Sequence, residues 1–293
     1  MMIFLDNLIN GLSLGSIYAI IALGYTMVYG IAKMLNFAHG DIIMVGAYIA
    51  FCGLQYWNLP PVVAILVAMA VCTLLGITIE GLAYRPLRQA TSLAVLITAI
   101  GMSYLLQNLA LMIWGANPKS FPGTFINSFT LHLGRLNISS ATLITILANG
   151  VIMISLTLFT SRTKIGKAMR CVSEDRGAAE LMGINVNRTI SITFAIGSAL
   201  AAVAGVLLCS SYPILQPTTG SMPGIKAFTA AVFGGIGSIP GAMLGGVLLG
   251  VIEIFGKAYI STALGDAIVF AVLIIVLLVK PTGLLGKPIR EKV

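Results

Sequence analysis

Residues 42–79 read IIMVGAYIAFCGLQYWNLPPVVAILVAMAVCTLLGITI, a stretch without a single Asp, Glu, Lys or Arg. It is longer than the roughly 20 apolar residues that one helix needs to cross a bilayer. Trp57-Asn58-Leu59-Pro60-Pro61 interrupts the stretch near its middle, and proline removes a backbone donor that a continuous helix requires. The stretch therefore predicts two membrane-crossing helices joined as a hairpin.

Similar uncharged stretches fill most of the remaining chain: Asn7 to Ala32, Gln89 to Pro118, Leu136 to Ser161, Thr189 to Ile225 and Ala227 to Ile252. The whole sequence is 58% hydrophobic and 9% charged, whereas soluble domains carry roughly 25% charged residues. No soluble fold hides that much apolar surface. The sequence therefore predicts an all-α, polytopic transmembrane helical bundle that occupies residues 1–293 as a single domain.

The formal charge of +8 comes largely from basic residues grouped in a few short connections, which indicates membrane topology rather than nucleic-acid binding. Most of the 17 Lys and Arg residues lie in the ranges 85–88, 162–188 and 280–292. The positive-inside rule places these three regions in the cytoplasm. We therefore expect the N-terminus outside the cell and the C-terminus in the cytoplasm.

Alternating the crossings between these regions gives about nine helices, with eight or ten as alternatives. The count depends on residues 224–257, where Gly234 to Gly241 interrupts the apolar sequence. Two short crossings there preserve the alternation, whereas a re-entrant hairpin breaks it. Glycines spaced by four residues predict helices whose backbones touch, since lipid supplies no hydrophobic drive between helices. The two pairs are Gly11 with Gly15 and Gly241 with Gly245.

The largest polar connection, residues 162–189, is the first candidate site. Ser173 is placed to cap a helix whose first turn carries Glu174 and Asp175, and Gly183 is placed to end it. One face of this helix carries small or apolar residues: Ala178, Leu181 and Met182. Such a face suits the close approach of another protein. The alternative is a solvated helix that lies on the lipid headgroups.

The turn after the first helix is the second candidate site, because it holds Asn36, His39 and Asp41. Ionisable side chains at membrane depth are costly and are therefore candidates for a substrate path. A helix broken inside the membrane would also offer free amides to a substrate carboxylate. The topology puts this turn near the cytoplasmic side, where these side chains could simply be in water. A structural role, in which Asn36 or Asp41 caps the following helix, is an equal alternative to the substrate path.

Two isolated acids, Glu80 and Glu253, end long apolar runs. Glu80 precedes Arg85 by little more than one turn, and we expect the two to pair near the interface. Glu253 lies four residues before Lys257, a spacing that brings both side chains to one helix face. A structural ion pair is the favoured interpretation for both acids, and Glu253 is also a candidate for the substrate path.

The sequence lacks the motifs of an enzyme. It has no Gly-x-x-x-x-Gly-Lys-Ser/Thr phosphate loop, so we do not expect it to hydrolyse ATP itself. The two histidines are isolated from each other and predict no metal centre. The four cysteines show no paired spacing, and we interpret them as small hydrophobes without disulfides. They are Cys52, Cys72, Cys171 and Cys209.

Leu35-Asn36-Phe37-Ala38-His39-Gly40-Asp41 resembles the signature of the branched-chain amino-acid ABC transporter permease family, LivH type. The likeness extends to Tyr84 to Arg88 and to Phe233 to Gly241. Glu174 to Asn185 resembles the Glu-Ala-Ala loop of ABC importer permeases, although Gly177 beside the alanine pair departs from that pattern. The resemblance implies an ABC importer permease that moves branched-chain amino acids inward, with urea or short amides as alternative substrates.

The resemblance also implies partners. They are a homologous second permease in a heterodimer, two ATP-binding subunits that carry ATP and Mg, and an extracytoplasmic substrate-binding protein. The setting is the bacterial cytoplasmic membrane with its lipid; the chain itself binds no cofactor, metal or nucleic acid. Contact with the ATP-binding subunits is expected from one set of loop residues: Glu174, Asp175, Ala178, Ala179, Leu181 and Gly183.

A self-contained channel or ion-coupled carrier is the alternative from a different class. A coupled carrier is expected to bury acids at the membrane midplane for its ion. The longest uncharged stretches of this chain supply the central helices, which favours the importer permease.

Overall fold

A computed structural model describes residues 2–122, 130–133 and 136–286. The helices in these ranges are α1 Met2–Ala32, α2 His39–Gln55, α3 Pro61–Ile79, α4 Ser92–Trp114, α5 Ser140–Arg162, α6 Lys164–Glu174, α7 Arg176–Leu181, α8 Val186–Ser211, α9 Ser221–Gly234, α10 Ile239–Tyr259 and α11 Gly265–Val279. A π-helical turn at Glu80–Tyr84 and a 3-10 turn at Arg85–Leu87 continue α3, and another 3-10 turn, Thr262–Leu264, precedes α11. The basic residues expected at 287–292 lie outside the described residues.

The prediction of an all-α bundle is confirmed. Among the described residues, seven helices are long and apolar enough to cross a membrane. Besides the short α6 and α7, the remaining two are α2 with 17 residues and α9 with 14, so the expected count of about nine crossings fits roughly. The two short crossings expected over 224–257 are instead one short helix, α9, and one full-length helix, α10 with 21 residues.

The predicted hairpin around the two prolines is present. Helix α2 ends at Gln55, and α3 begins at Pro61 with Pro60 as its N-cap residue. Proline suits the first helical turn because its missing N–H has no partner there in any case. Asn58 takes up the reversal with a left-handed φ of 45°. The two helices then pack closely where Gly53 faces Ala64.

Helix α1 is the centre of the bundle. In its most apolar 18-residue stretch, 94% of the residues are buried. In the corresponding stretch of the segment that contains α11, only 11% are buried, so that segment faces outward. Helix α1 packs along α10, α8, α9 and α5. Gly15 lies so close to α10 that an added Cβ would stand 2.6 Å from the Val247 carbonyl oxygen. The apolar core is therefore built around a helix that lipid scarcely reaches.

The remaining short elements lie at the two ends of the bundle and distinguish one end from the other. Strands β1 Lys119–Ser120 and β4 Ile214–Leu215 pair antiparallel and join the connections after α4 and α8; we call this the strand face. A hairpin of β2 Thr130–Leu133 and β3 Leu136–Ser139 precedes α5. Helices α6 and α7 lie at the opposite end, which we call the basic face. The alternation of crossings requires both connections of the strand face to lie on one side, as observed.

Candidate functional site

The starts of α2 and α9 meet inside the bundle. The Gly224 Cβ position would lie 2.8 Å from the Gly40 Cα atom, so the two backbones touch. Close beside them, Gln107 on α4 donates to Asp41 over 2.9 Å and to Ser221 over 3.3 Å. A polar cluster, formed by Asp41, Gln107, Ser221 and Ser103, therefore joins three helices.

This polar cluster lies deeper than the topology predicted. The Cys72 thiol donates to the Ile42 carbonyl over 3.7 Å, and Cys72 lies near the middle of the continuous segment Pro61–Leu87. Asp41, only 2% exposed, is therefore at the middle of the bundle and not at the wet cytoplasmic edge. The reason is that α2 is short and begins at depth, which residue patterns alone do not reveal.

The alternative that Asn36 or Asp41 caps α2 is wrong. The N-cap residue is Ala38, and α2 begins without a side-chain cap. Asn36 instead accepts a hydrogen bond of 2.9 Å from the Tyr84 hydroxyl, with both side chains buried. His39 packs edge-on against Tyr25, with ring centroids 4.6 Å apart, and fills the space beside a glycine of α1. The role of Asn36, His39 and Asp41 in a substrate path stays a prediction.

Glu253 has the expected partner and two unexpected ones. Lys257 donates to its Oε1 atom over 2.5 Å, as the i,i+4 spacing predicted. Lys226 of α9 donates to the same oxygen over 2.7 Å, and Tyr18 of α1 donates to Oε2 over 2.9 Å. Lys226 also pairs with Asp266 over 2.5 Å. In sequence Lys226 merely separates two apolar stretches, so only the packing of α9 on α10 reveals this group.

Glu80 pairs with Arg88 and not with Arg85 as predicted. The π-helical turn changes the angular spacing along the end of α3, so the sequence interval that favoured Arg85 does not apply. Ser191 of α8 donates to the second oxygen of Glu80 over 2.6 Å. Arg88 also donates to Asn187. This group fastens the end of α3 to the start of α8.

The basic-face connection contains two helices where one was predicted. Glu174 is the last residue of α6, and Asp175 caps α7 by accepting a hydrogen bond of 3.0 Å from the Ala178 amide. Ser173 therefore does not cap a helix that begins at Glu174. Gly183 ends α7 as expected, with a left-handed φ of 80°. The cause of the break is the extended backbone of Asp175, which turns the chain between α6 and α7.

The residues of α7 face in different directions. Leu181 and Met182 are 89% and 82% exposed and form an apolar tip. Ala178 is exposed beside them, whereas Ala179 is buried against the bundle. Arg176 donates to the Ala32 carbonyl at the end of α1. Burial, and after it the charge of Arg88, lower the pKa of Arg176.

The described residues contain neither a cluster of metal ligands nor a disulfide. The described ranges contain no group of three or more His, Cys, Asp or Glu side chains that could hold a metal ion. All four cysteines lie in those ranges and are free thiols, with Cys72 and Cys209 buried, Cys52 half-buried and Cys171 exposed.

A bundle of apolar helices, a buried polar cluster where two helices begin, and an exposed apolar tip on one face together describe a polytopic helical membrane protein. The chain belongs to the family described as branched-chain amino acid transport system / permease component, whose model matches residues 7–277. It is 47% identical to the high-affinity branched-chain amino acid transport system permease protein BraD of Pseudomonas aeruginosa, over 99% of this chain and 98% of that protein.

Two further comparisons mark the range of the likeness. The chain is 45% identical to the permease protein LivH of Escherichia coli K12, a high-affinity branched-chain amino acid transport system component, over 99% of this chain and 98% of LivH. Among solved structures, PsaBC from Streptococcus pneumoniae in complex with Fab matches with a TM-score of 0.51 at 17% identity, covering 93% of this chain and 91% of that one. The second comparison shows a shared fold.

Proposed function

We propose that this chain is the membrane-spanning subunit of an ATP-driven importer that moves branched-chain amino acids into the cytoplasm. Family membership and the near-complete match to two branched-chain amino acid permeases support the substrate class. An extracytoplasmic binding protein delivers the substrate, and a homologous second permease completes the path. Two separate subunits supply ATP hydrolysis, since this chain has no phosphate loop.

The apolar tip of α7 carries the coupling part of the proposal. Exposed apolar side chains that form a contiguous patch mark interaction sites, whereas scattered single ones are ordinary surface. Leu181 and Met182 stand together on a helix that is capped at one end by Asp175 and stopped at the other by Gly183. A short, firmly ended helix presents its tip in one orientation, which suits docking into an ATPase subunit.

An ion-coupled carrier is the second candidate, and the depth of Asp41 favours it. A buried acid at mid-membrane is a feature that such carriers use. Asp41, however, already accepts a hydrogen bond from Gln107, and the other buried acid, Glu253, shares its charge with two lysines. Both acids thus have internal partners in this conformation, which favours the importer.

Co-expression with the cognate ATPases tests the proposal. We expect Leu181→Asp to lower ATPase co-purification and ATP-dependent leucine uptake by at least about tenfold, because a charge replaces a hot-spot contact worth roughly 2 kcal/mol. Ile165→Asp is the matched control, since Ile165 is an exposed apolar residue of α6 away from the tip. Unchanged recruitment by Leu181→Asp would reject the coupling assignment.

The wild-type system separates the remaining alternatives in the same assay. Uptake of leucine by liposomes that contain this chain without ATPases would establish the carrier. A cognate binding protein that binds urea and not leucine would overturn the substrate class and leave the import mechanism standing.

A further inference from the structure

The first residue of α7 is attached to the last residue of α1. The Arg176 guanidinium donates to the Ala32 carbonyl oxygen, and its side chain is half-buried. Carbonyls in the last turn of a helix have no partner within the helix, and a cation is stabilised there by the helix dipole. Lys33 then turns the chain with a left-handed φ of 52°. Arg176 therefore holds α1 at the point where the backbone leaves the helix.

The segment that follows Ala32 has a second anchor. Asn36 lies within residues 33–38, the connection between α1 and α2, and accepts the hydrogen bond from Tyr84. Tyr84 ends the π-helical turn whose first residue, Glu80, is fixed to α8 through Ser191. Because α7 leads into α8 through a short connection, both anchors of residues 33–38 return to the same part of the basic face.

The far end of this connection leads directly to the polar cluster. Asp41 follows on the first turn of α2 and is linked through Gln107 to Ser221, the first residue of α9. Gly40 contacts the start of α9 so closely that the two helix starts cannot move closer together. A displacement of residues 33–38 must therefore either move the start of α2 against α9 or break a hydrogen bond.

We infer that Arg176 is a positioning residue that transmits movement of α7 through residues 33–38 to the start of α2, with the Tyr84–Asn36 hydrogen bond as the second hold. This inference rests on the proposed function, since α7 moves only if an ATPase drives it. Arg176 touches neither ATP nor the polar cluster. Its effect is on the coupling between hydrolysis and transport, and the tip that binds the ATPase stays intact.

The chain offers a matched control for Arg176. Arg170 on α6 donates to the Ser161 carbonyl over 2.9 Å, so it makes the same arginine-to-carbonyl bond at the end of α5. Arg170 is exposed, and its hydrogen bond goes to Ser161 and not to residues 33–38. Replacing each arginine with methionine removes the donor and charge while keeping an unbranched stem.

The test uses the complete transporter, with both permeases, the ATPases and the binding protein, reconstituted in liposomes. We expect Arg176→Met to keep ATPase recruitment and hydrolysis within about twofold, yet to lower the ratio of leucine transported to ATP hydrolysed by about tenfold, inside the usual range for coupling between sites. Arg170→Met keeps the wild-type ratio. Arg176→Lys, which retains the positive charge and N–H donors but not the planar guanidinium, recovers part of it.

The double variant identifies the route. Tyr84→Phe removes only the hydroxyl that holds Asn36, and residues that act on one element give non-additive effects. We expect Arg176→Met and Tyr84→Phe together to lower the ratio by less than the product of the single effects. Three results would each overturn the inference. They are an unchanged transport-to-hydrolysis ratio in Arg176→Met, a loss of that ratio in Arg170→Met as large as in Arg176→Met, and a loss in the double variant equal to the product of the single losses. If Arg176→Met does not accumulate, Arg176→Lys and Tyr84→Phe give the same comparison.

The failure of this inference is distinguishable from failure of the proposed function. A wild-type assembly that recruits no ATPase, or that transports without ATP, removes the proposed function. A wild-type assembly that couples normally while Arg176→Met also couples normally removes only the role of Arg176.

Discussion

Lys226 and Glu253 are charges inside an apolar bundle, and each is stable there only because it is paired. Removing one partner of a buried pair leaves an uncompensated charge, which costs far more than the pair contributes. Two lysines and two acids from α9, α10 and α11 form this group, so its formal charge is zero: Lys226, Lys257, Glu253 and Asp266. The group connects the short helix α9 to α10 and α11.

We predict that Lys226→Met destabilises the protein more than Lys257→Met. The side chain of Lys226 is 8% exposed and serves both acids, whereas that of Lys257 is 33% exposed and serves Glu253 alone. Breaking a buried pair typically costs about 3–5 kcal/mol, which is an upper bound for Lys226→Met because Glu253 keeps Lys257, and a partly exposed pair contributes roughly 0–1 kcal/mol. Thermal unfolding of the detergent-purified variants checks the order. Equal melting temperatures would contradict it.

At the scale of elements, backbone contact between α1 and α10 sets the position of the core. Gly11 and Gly15 face Val251 and Val247 of α10, so these contacts are made by main chain and not by flexible side-chain ends. Gly241 and Gly245 face α9, against the carbonyl oxygens of Gly234 and Ala230. The two pairs thus serve different helix contacts, and α10 is held on both sides.

We predict that Gly15→Ala is destabilising although alanine favours helices. The new Cβ would lie 2.6 Å from the Val247 carbonyl oxygen, and overpacking of a tight contact typically costs about 1–3 kcal/mol. Gly101→Ala on α4 is the matched control, since nothing lies within 4 Å of its Cβ position. There the substitution is expected to gain about 0.5–1 kcal/mol. Denaturation in detergent compares the two, and a Gly15→Ala variant as stable as wild type refutes the argument.

Sequence patterns predict those features of the elements that depend on local chemistry. The hairpin at Pro60 and Pro61 and the end of α7 at Gly183 follow from backbone rules that act within a few residues. The partner of Glu80 and the group around Lys226 depend on which helices meet, and no spacing in the sequence encodes that. The depth of α2 is missed for the same reason.

At the scale of the whole molecule, the two faces differ in the chemistry they present. The basic face carries α6, α7 and the Arg88 group, and the strand face carries the paired strands β1 and β4. The positive-inside rule predicts that the basic face is cytoplasmic, since positively charged connections are retained on that side. If the seven long helices and the shorter α2 and α9 of the described residues all cross, the two ends of the chain lie on opposite sides, and we predict that the N-terminus is outside.

Cys171 makes this orientation testable without a foreign tag. It is exposed on α6, while Cys72 and Cys209 are buried and Cys52 is half-buried. We predict that a membrane-impermeant maleimide labels Cys171 in inside-out vesicles and not in intact spheroplasts. Cys171→Ser is the control for specificity. In that background Trp57→Cys, at an exposed position between α2 and α3, is expected to react from the outside only. Labelling of Cys171 in intact spheroplasts would reverse the orientation, and with it the side on which an ATPase could meet α7.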